Sequence, residues 1–140
     1  ARAILDIEGH TLFKTYSESK GTLDVVGGDV AVDLSEAQTF TFTPNAPVNA
    51  FRLNNIPDGS SSFTIKVMQG SAFYTVGINS MHVGAGATCD MKWPGGVIPV
   101  VTQNANAIDI YSFKIFDGAA LKANPTDNTI YGVVGGQNYS

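Results

Sequence analysis

Short segments in which apolar and polar residues alternate recur along most of this chain, with turn-forming residues between them. Thr39–Thr43 alternates threonine with phenylalanine, and Phe63–Met68 alternates large apolar residues with Thr64 and Lys66. Alternation with a period of two is the pattern of a strand that buries one face. Helical periodicity is scarce throughout the sequence. The chain is therefore expected to fold mainly into strands.

Further strands are predicted on the same grounds, so that the total is about eight or nine at intervals of roughly 8–14 residues. They include Val30–Leu34, Ala50–Asn54, Phe73–Val76, Thr88–Trp93, Ala107–Phe116 and Thr129–Val134. Many short strands at such intervals are typical of a β-sandwich or jelly roll. Parallel pairs joined by helices are excluded because the sequence predicts no helices between the strands. We predict an all-β, antiparallel sandwich over residues 22–140.

The first 21 residues are more polar than the rest, and they are predicted to form an N-terminal arm or an outlying strand. The alternative is that they form an ordinary first strand of the domain. Ile4, Leu5 and Ile7 are the apolar side chains that such an arm would offer to a partner. They are therefore candidate interface residues.

Charged residues make up only 14% of the chain, with 12 acidic and 8 basic side chains, against about 25% in an average protein. Surfaces with few charges are common where a protein packs against partners. The basic residues do not cluster, so nucleic-acid binding is not expected. No apolar run approaches the roughly 18 residues of a membrane span, and no membrane association is predicted.

No catalytic, metal-binding or cofactor-binding pattern stands out. Cys89 is the only cysteine, so an intramolecular disulfide is excluded, and its apolar neighbours favour a buried thiol. His10 and His82 are too far apart in sequence to form a metal-binding motif. The candidate carboxylates for glycoside hydrolysis are Asp24, Asp29, Asp33, Glu36, Asp90 and Asp109. Their spacing does not pair them. We expect no cofactor and no enzymatic activity.

The only tryptophan, Trp93, has two interpretations. It either fills the core at the end of a strand or lies exposed beside the turn Pro94–Gly96 as a stacking or interface residue. The core interpretation is favoured because Trp93 alternates with Cys89 and Met91 on one apolar face. Tyr74 and Tyr139 are the other aromatic residues that are candidates for a binding surface.

Several segments of the chain together resemble a known family: Met91–Pro99, Asp109–Phe113, Asp117–Gly118 and Tyr131–Gly135, and further upstream Val32–Leu34, Phe40–Phe42 and Phe63–Met68. The family is the C-terminal β-sandwich module of tailed-bacteriophage virion proteins, which occurs in tail fibres, tail appendages and capsid decoration or cement proteins. The resemblance covers the chain from about Leu23 to the end. It implies a non-enzymatic virion structural protein that is made in the bacterial cytoplasm, carried on the outer surface of the particle and homo-oligomeric, often trimeric.

Two functions follow from this resemblance. A capsid decoration or cement protein would bind the major capsid protein, or other virion proteins, through its arm and loop edges. A tail fibre or tail tip module would instead bind a host-surface glycan through Tyr74, Trp93 and Tyr139. A cellular carbohydrate-binding module is disfavoured because the sequence shows neither a signal peptide nor calcium ligands. A depolymerase is the enzymatic alternative. The short length, 140 residues, favours the decoration protein over a fibre with a shaft.

Overall fold

The computed structural model describes residues 6–140, and the candidate residues Ile4 and Leu5 lie outside this range. The described residues form ten strands and one short α-helix. In chain order they are β1 (Lys20–Leu23), β2 (Val25–Val26), β3 (Asp29–Asp33), β4 (Thr39–Phe42), β5 (Ala50–Asn54), β6 (Ser61–Met68), β7 (Met81–Val83), β8 (Asp90–Lys92), β9 (Ile108–Ile115), α1 (Gly118–Ala123) and β10 (Thr129–Tyr139). A single 3-10 turn, Pro94–Gly96, follows β8.

The strands lie in two sheets, which confirms that the chain is mostly β. The larger sheet has the order β1-β4-β6-β9-β10-β8, and the smaller has the order β2-β3-β5-β7. Buried side chains from both sheets form one hydrophobic cluster. Within it, the ring of Phe42 meets the ring of Phe51 edge-on, with 6.0 Å between the centroids. The two sheets therefore share one core.

Strand direction is where the structure departs from the sequence prediction. Among the strands of residues 6–140, five pairs are parallel and three are antiparallel. The prediction of antiparallel sheets is therefore wrong, and the jelly-roll connectivity is not confirmed. Between the parallel strands β4 and β6 the chain forms β5 in the other sheet, and between β3 and β5 it forms β4. A parallel pair needs a long crossover, and here a strand of the opposite sheet takes the place of a helix.

The predicted alternation is confirmed in the longer strands. Phe40 and Phe42 of β4 are buried, and β6 buries Phe63, Ile65 and Val67. Strand β9 alternates between buried and half-buried residues along its whole length. Apolar side chains at every second position therefore build the core, as expected for a strand with one face in the protein.

The helix α1 corrects the prediction that no helix would separate the strands. Its N-cap, Asp117, accepts a hydrogen bond from the Ala120 N–H at 2.9 Å. Gly118 lies so close to Pro57 that an added Cβ would be 1.6 Å from the Pro57 carbonyl oxygen. The helix is thus held against the 55–60 loop by a contact that only glycine permits.

The strand directions place the loops at two ends of the molecule. One end carries the loops 43–49, 69–80 and 93–107 together with residues 134–140, and none of these residues is charged. We call it the uncharged end. The opposite end, the charged end, carries the loops 34–38, 55–60, 84–89 and 116–128. Its charged residues are Glu36, Asp58, Asp117, Lys122 and Asp127.

Candidate interaction surface

The most apolar exposed stretch of the uncharged end is Val97–Val101, called here the apolar segment. Its side chains are exposed by 71% at Val97, 56% at Ile98 and 73% at Val100, whereas Val101 is buried. A single exposed aliphatic residue needs no explanation, but several together mark an interaction site. The apolar segment is therefore the first candidate for a contact with another molecule.

A tightly packed tryptophan precedes the apolar segment, separated from it by the turn Pro94–Gly96. Trp93 is 6% exposed, and its indole N–H donates to Asn79 Oδ1 at 2.6 Å. Its ring meets those of Tyr111 and Phe113 edge-on. On the other side it covers Gly132, where an added Cβ would lie 2.4 Å from the indole ring. The core interpretation of Trp93 is supported, and an exposed stacking role does not fit this burial.

A buried carboxylate holds the other side of the apolar segment. Asp109 is 1% exposed. Its Oδ2 accepts the Thr102 N–H at 2.7 Å, the Tyr111 hydroxyl at 2.8 Å and the Gln137 side-chain amide at 3.2 Å. Its Oδ1 accepts the Asn138 N–H at 2.8 Å. One side chain of β9 thus ties the end of the apolar segment to the end of the chain.

The charge on Asp109 is stabilised by its surroundings. Burial acts to raise the pKa of the Asp109 carboxyl, but the hydrogen bonds from Thr102, Asn138 and Tyr111 outweigh it and hold the pKa below its ordinary value. Burial and the same carboxylate raise the pKa of Tyr111. The network is therefore an ionised carboxylate surrounded by neutral donors, and it leaves the surface of this end without charge.

Two glutamine side chains complete this support. Gln137 donates to the Val100 carbonyl at 2.7 Å, which fixes the apolar segment beside β10. Gln69 is 5% exposed, accepts the Tyr74 N–H and donates to the Tyr74 and Thr102 carbonyls. The loops of the uncharged end are thus joined to one another by buried or half-buried polar side chains.

The apolar segment keeps hydrogen-bonding capacity of its own. The backbone N–H groups of Ile98 and Val100 donate no hydrogen bond to other described residues, and Pro99 between them has no N–H. An extended peptide placed alongside the apolar segment could pack against its side chains and accept hydrogen bonds from its free backbone N–H groups. This combination suits a strand-like partner.

A second exposed apolar stretch lies in the arm. Residues 6–19 contain no helix or strand, and their large apolar side chains are exposed: 46% for Ile7, 97% for Leu12, 63% for Phe13 and 79% for Tyr16. The arm meets the larger sheet at Glu18, which accepts a hydrogen bond from the Thr39 hydroxyl at 3.1 Å. From Lys20 onward the chain belongs to β1.

The candidate residues from the sequence are only partly brought together. Tyr74 is half-buried in the 69–80 loop, Tyr139 is 48% exposed at the end of β10, and Ile7 lies in the arm. Through Gln69, Thr102, Asp109 and Asn138, hydrogen bonds connect the backbone of Tyr74 to the residue before Tyr139. The candidates Tyr74 and Tyr139 therefore belong to one end of the molecule, and the arm leaves from the other.

Sequence reasoning missed several residues of these surfaces. The missed residues are Leu12, Phe13, Tyr16, Val97, Ile98 and Val100, and the buried supporting role of Asp109, a candidate carboxylate for hydrolysis, was missed as well. A signal existed for Asp109, because it alternates with Tyr111 and Phe113 on the inward face of β9. The absence of charge from Trp93 to Ile108 was also visible in the sequence.

The smaller sheet carries a polar groove on its outer face. There Arg52 binds Asp29 Oδ2 through Nε at 2.8 Å and the Gly84 carbonyl at 3.1 Å, with Asp24 and Asn54 nearby in the same groove. Both members of the Arg52–Asp29 pair are about one third exposed. The groove is a shallow, internally paired surface.

Other chemistry is sparse in the part of the chain that the structure covers. Among residues 6–140, no group of three His, Cys, Asp or Glu side chains is arranged to hold a metal ion. Burial raises the pKa of the Cys89 thiol to about 11, so the thiol stays protonated at neutral pH. Among the same residues, no helix has the length and hydrophobicity needed to span a membrane.

Comparison with known proteins gave no relative: no family model, no curated protein and no solved structure matches the chain.

Proposed function

We propose that this chain is a non-enzymatic structural protein of a tailed-bacteriophage virion, a capsid decoration or cement protein on the outer surface of the head. It would be made in the host bacterial cytoplasm. Its framework is then a β-sandwich of two mixed sheets, in place of the antiparallel one expected. The proposal starts from the resemblance of Met91–Pro99 and the following strands to virion modules, and it is supported by the surfaces described above.

One observation carries the proposal. The chain exposes large apolar side chains on two separate segments, the arm and the apolar segment, while strong internal contacts hold the base of the second. Apolar surface that is held in place and left uncovered is what a permanent assembly contact requires. The partners in this proposal are further copies of the chain, arranged as a trimer, and the major capsid protein.

The proposal is tested by locating the chain on phage particles. Purified virions would be labelled with gold-conjugated antibody against the chain and imaged by cryo-electron microscopy. Label distributed over the icosahedral head is the expected result. Virions without any label, or purified heads that do not bind the added chain, would refute a structural role on the head.

A tail fibre or tail tip module that binds host glycans is the second candidate. It is favoured by Phe73 and Tyr139, which are 49% and 48% exposed at the uncharged end. Trp93 does not support this function, because its side chain lies in the core and is not available to stack on a glycan. Label confined to the tail, together with binding to host polysaccharide that a Tyr139→Ala variant loses, would select this function over the first.

A further inference from the structure

We propose that copies of this chain associate head to tail, with residues 6–19 of one copy, the described part of the arm ahead of β1, covering the apolar segment (Val97–Val101) of the next. This inference rests on the proposed function only in treating the chain as an assembly protein. It specifies a partner, a second copy, and the two surfaces that meet.

The arm has the composition of a strand but no neighbour. Thr11–Tyr16 consists of threonine, leucine, phenylalanine, lysine, threonine and tyrosine, and four of these residues, both threonines, Phe13 and Tyr16, are of types that are enriched in strands. Leu12 is 97% exposed and Tyr16 is 79% exposed, so the described fold supplies no cover for them. An isolated strand is unstable in water. The arm is therefore expected to become ordered on another surface.

The apolar segment is the receiving surface that matches the arm best. At the opposite edge of the larger sheet, β1 presents Lys20 and Thr22 to solvent, which gives apolar side chains nothing to pack against. The apolar segment instead offers Val97, Ile98 and Val100, with free backbone N–H groups between them. Addition of a strand there would satisfy the backbone and bury the side chains together.

In the described structure the arm does not cover the apolar segment of its own chain, since Leu12 and Val100 are both exposed. The arm precedes β1, whose first residue, Lys20, pairs with Thr39 at the charged end, whereas the apolar segment borders the uncharged end. Fourteen extended residues reach about 45 Å, which exceeds the radius of gyration of about 14 Å expected for a domain of this size. The arm is thus long enough to cross onto a neighbour.

The charges favour the same arrangement. Thr11–Tyr16 carries one charge, Lys14, and the stretch from Trp93 to Ile108 carries none. No like charges would face each other in the contact, and the lysine ammonium can remain in water while its chain packs. A contact between two uncharged ends would leave both arms exposed. The head-to-tail contact covers both surfaces, and repetition of it gives a ring, such as a trimer, if the rotation between copies closes and an open filament if it does not.

Complementation between two defective variants tests this inference. One variant is Leu12→Ser with Phe13→Ser and Tyr16→Ser, and the other is Val97→Ser with Ile98→Ser and Val100→Ser. Each is expected to be monomeric by sedimentation velocity. The full chain is expected to form oligomers, and the control Val26→Ser, a residue 77% exposed on β2, is expected to form them as well.

The mixture of the two variants is the decisive sample. It retains one intact arm and one intact apolar segment on different chains, so we expect heterodimers at a ratio of one to one and nothing larger. Failure of the mixture to associate would overturn the inference, and so would a full chain that is monomeric at hundred-micromolar concentration. Circular dichroism of each variant confirms that both are folded, which makes a failed association informative.

This experiment separates the inference from the proposed function. If the chain labels the heads of virions but is monomeric in solution, the proposed function is supported and the head-to-tail contact is refuted. If the chain associates as described but labels no virion, the head-to-tail contact is supported and the proposed function is refuted.

Discussion

The two ends of the molecule hold their loops in place by different chemistry. At the charged end, Lys122 of α1 bridges the Ile56 carbonyl at 2.8 Å and the carboxylate of Asp58, whose side chain is 82% exposed. At the uncharged end, Asp109 is 1% exposed and binds the ends of two segments through four hydrogen bonds. Each end uses a carboxylate, one in water and the other in the core.

The difference has a consequence for the surface of each end. An exposed ion pair contributes little to stability and leaves charges on the surface, whereas a buried carboxylate with several donors is costly to disrupt and leaves none. The uncharged end therefore combines firm internal support with a neutral, apolar exterior. That is the combination expected of a surface that another protein covers.

The largest effect is expected from removing the tryptophan that links the uncharged end to the core. Trp93→Ala should lower the free energy of unfolding by about 3–5 kcal/mol, because it leaves a large cavity. Gly132→Ala should lower the free energy of unfolding by about 1–3 kcal/mol, because the added methyl group would overlap the indole ring of Trp93. Urea unfolding measures both. An unchanged midpoint for Trp93→Ala would contradict the burial of this side chain.

A matched pair of carboxylate variants compares the ends directly. Asp109→Asn should lower the free energy of unfolding by about 2–3 kcal/mol. The NH₂ group of the asparagine would face N–H and O–H groups whose hydrogen bonds the carboxylate accepts. Asp58→Asn should leave the unfolding midpoint unchanged, because the side chain is exposed. Equal effects of the two variants in thermal and urea unfolding would show that the ends do not differ in the way the structure indicates.

The buried carboxylate of the uncharged end should make the stability of the protein depend on pH. The pKa of Asp109 is lower in the folded state than its unfolded value of about 3.9, so the unfolded state takes up the proton more readily. The stabilisation is thus fully present well above pH 4 and is lost as the pH falls through the folded-state pKa. Asp109→Asn should flatten the stability curve below about pH 4. The pKa of Asp58 is also lowered, by its hydrogen bond to Lys122, so Asp58→Asn should change the slope in the same direction, and by less, because water screens the exposed pair.

The smallest effect on stability is expected from placing a charge on the apolar segment. Val100 is 73% exposed, so Val100→Lys should change the free energy of unfolding by less than about 0.5 kcal/mol. The same substitution should abolish self-association, which sedimentation velocity detects. Retained association would mean that the contact between copies lies elsewhere.

The positions of the longer strands were predictable from the sequence because a buried face leaves a local pattern of period two. The prediction for Ala107–Phe116 matches β9, and that for Phe63–Met68 lies within β6. The pairing of the strands was not predictable, because no sequence pattern within β4 indicates that its neighbour in the sheet is β6 or that β6 runs parallel to it. The helix α1 was missed because six residues are too few to show helical periodicity, although Asp117 gave an N-cap signal.

The interaction surfaces were less predictable than the strands. Aromatic residues in loops are the binding candidates that the sequence suggests, but Trp93 packs inward and Tyr74 is half-buried. Exposure of Val97 and Val100 depends on how the 93–107 loop lies against β10, which is decided by Gln137 and Asp109 from distant parts of the chain. Contacts of this kind leave no local pattern in the sequence.

The parallel crossovers also determine how this chain folds. Thr39 pairs with Thr64, 25 positions later, and Ser61 pairs with Ile115, 54 positions later, while adjacent strands in sequence mostly lie in different sheets. Few pairs can form early from local hairpins, so the entropy of closing long loops must be overcome first. Folding is expected to take on the order of milliseconds to seconds. Since β6 has its partner in β9, the larger sheet is completed only after the C-terminal third has been synthesised.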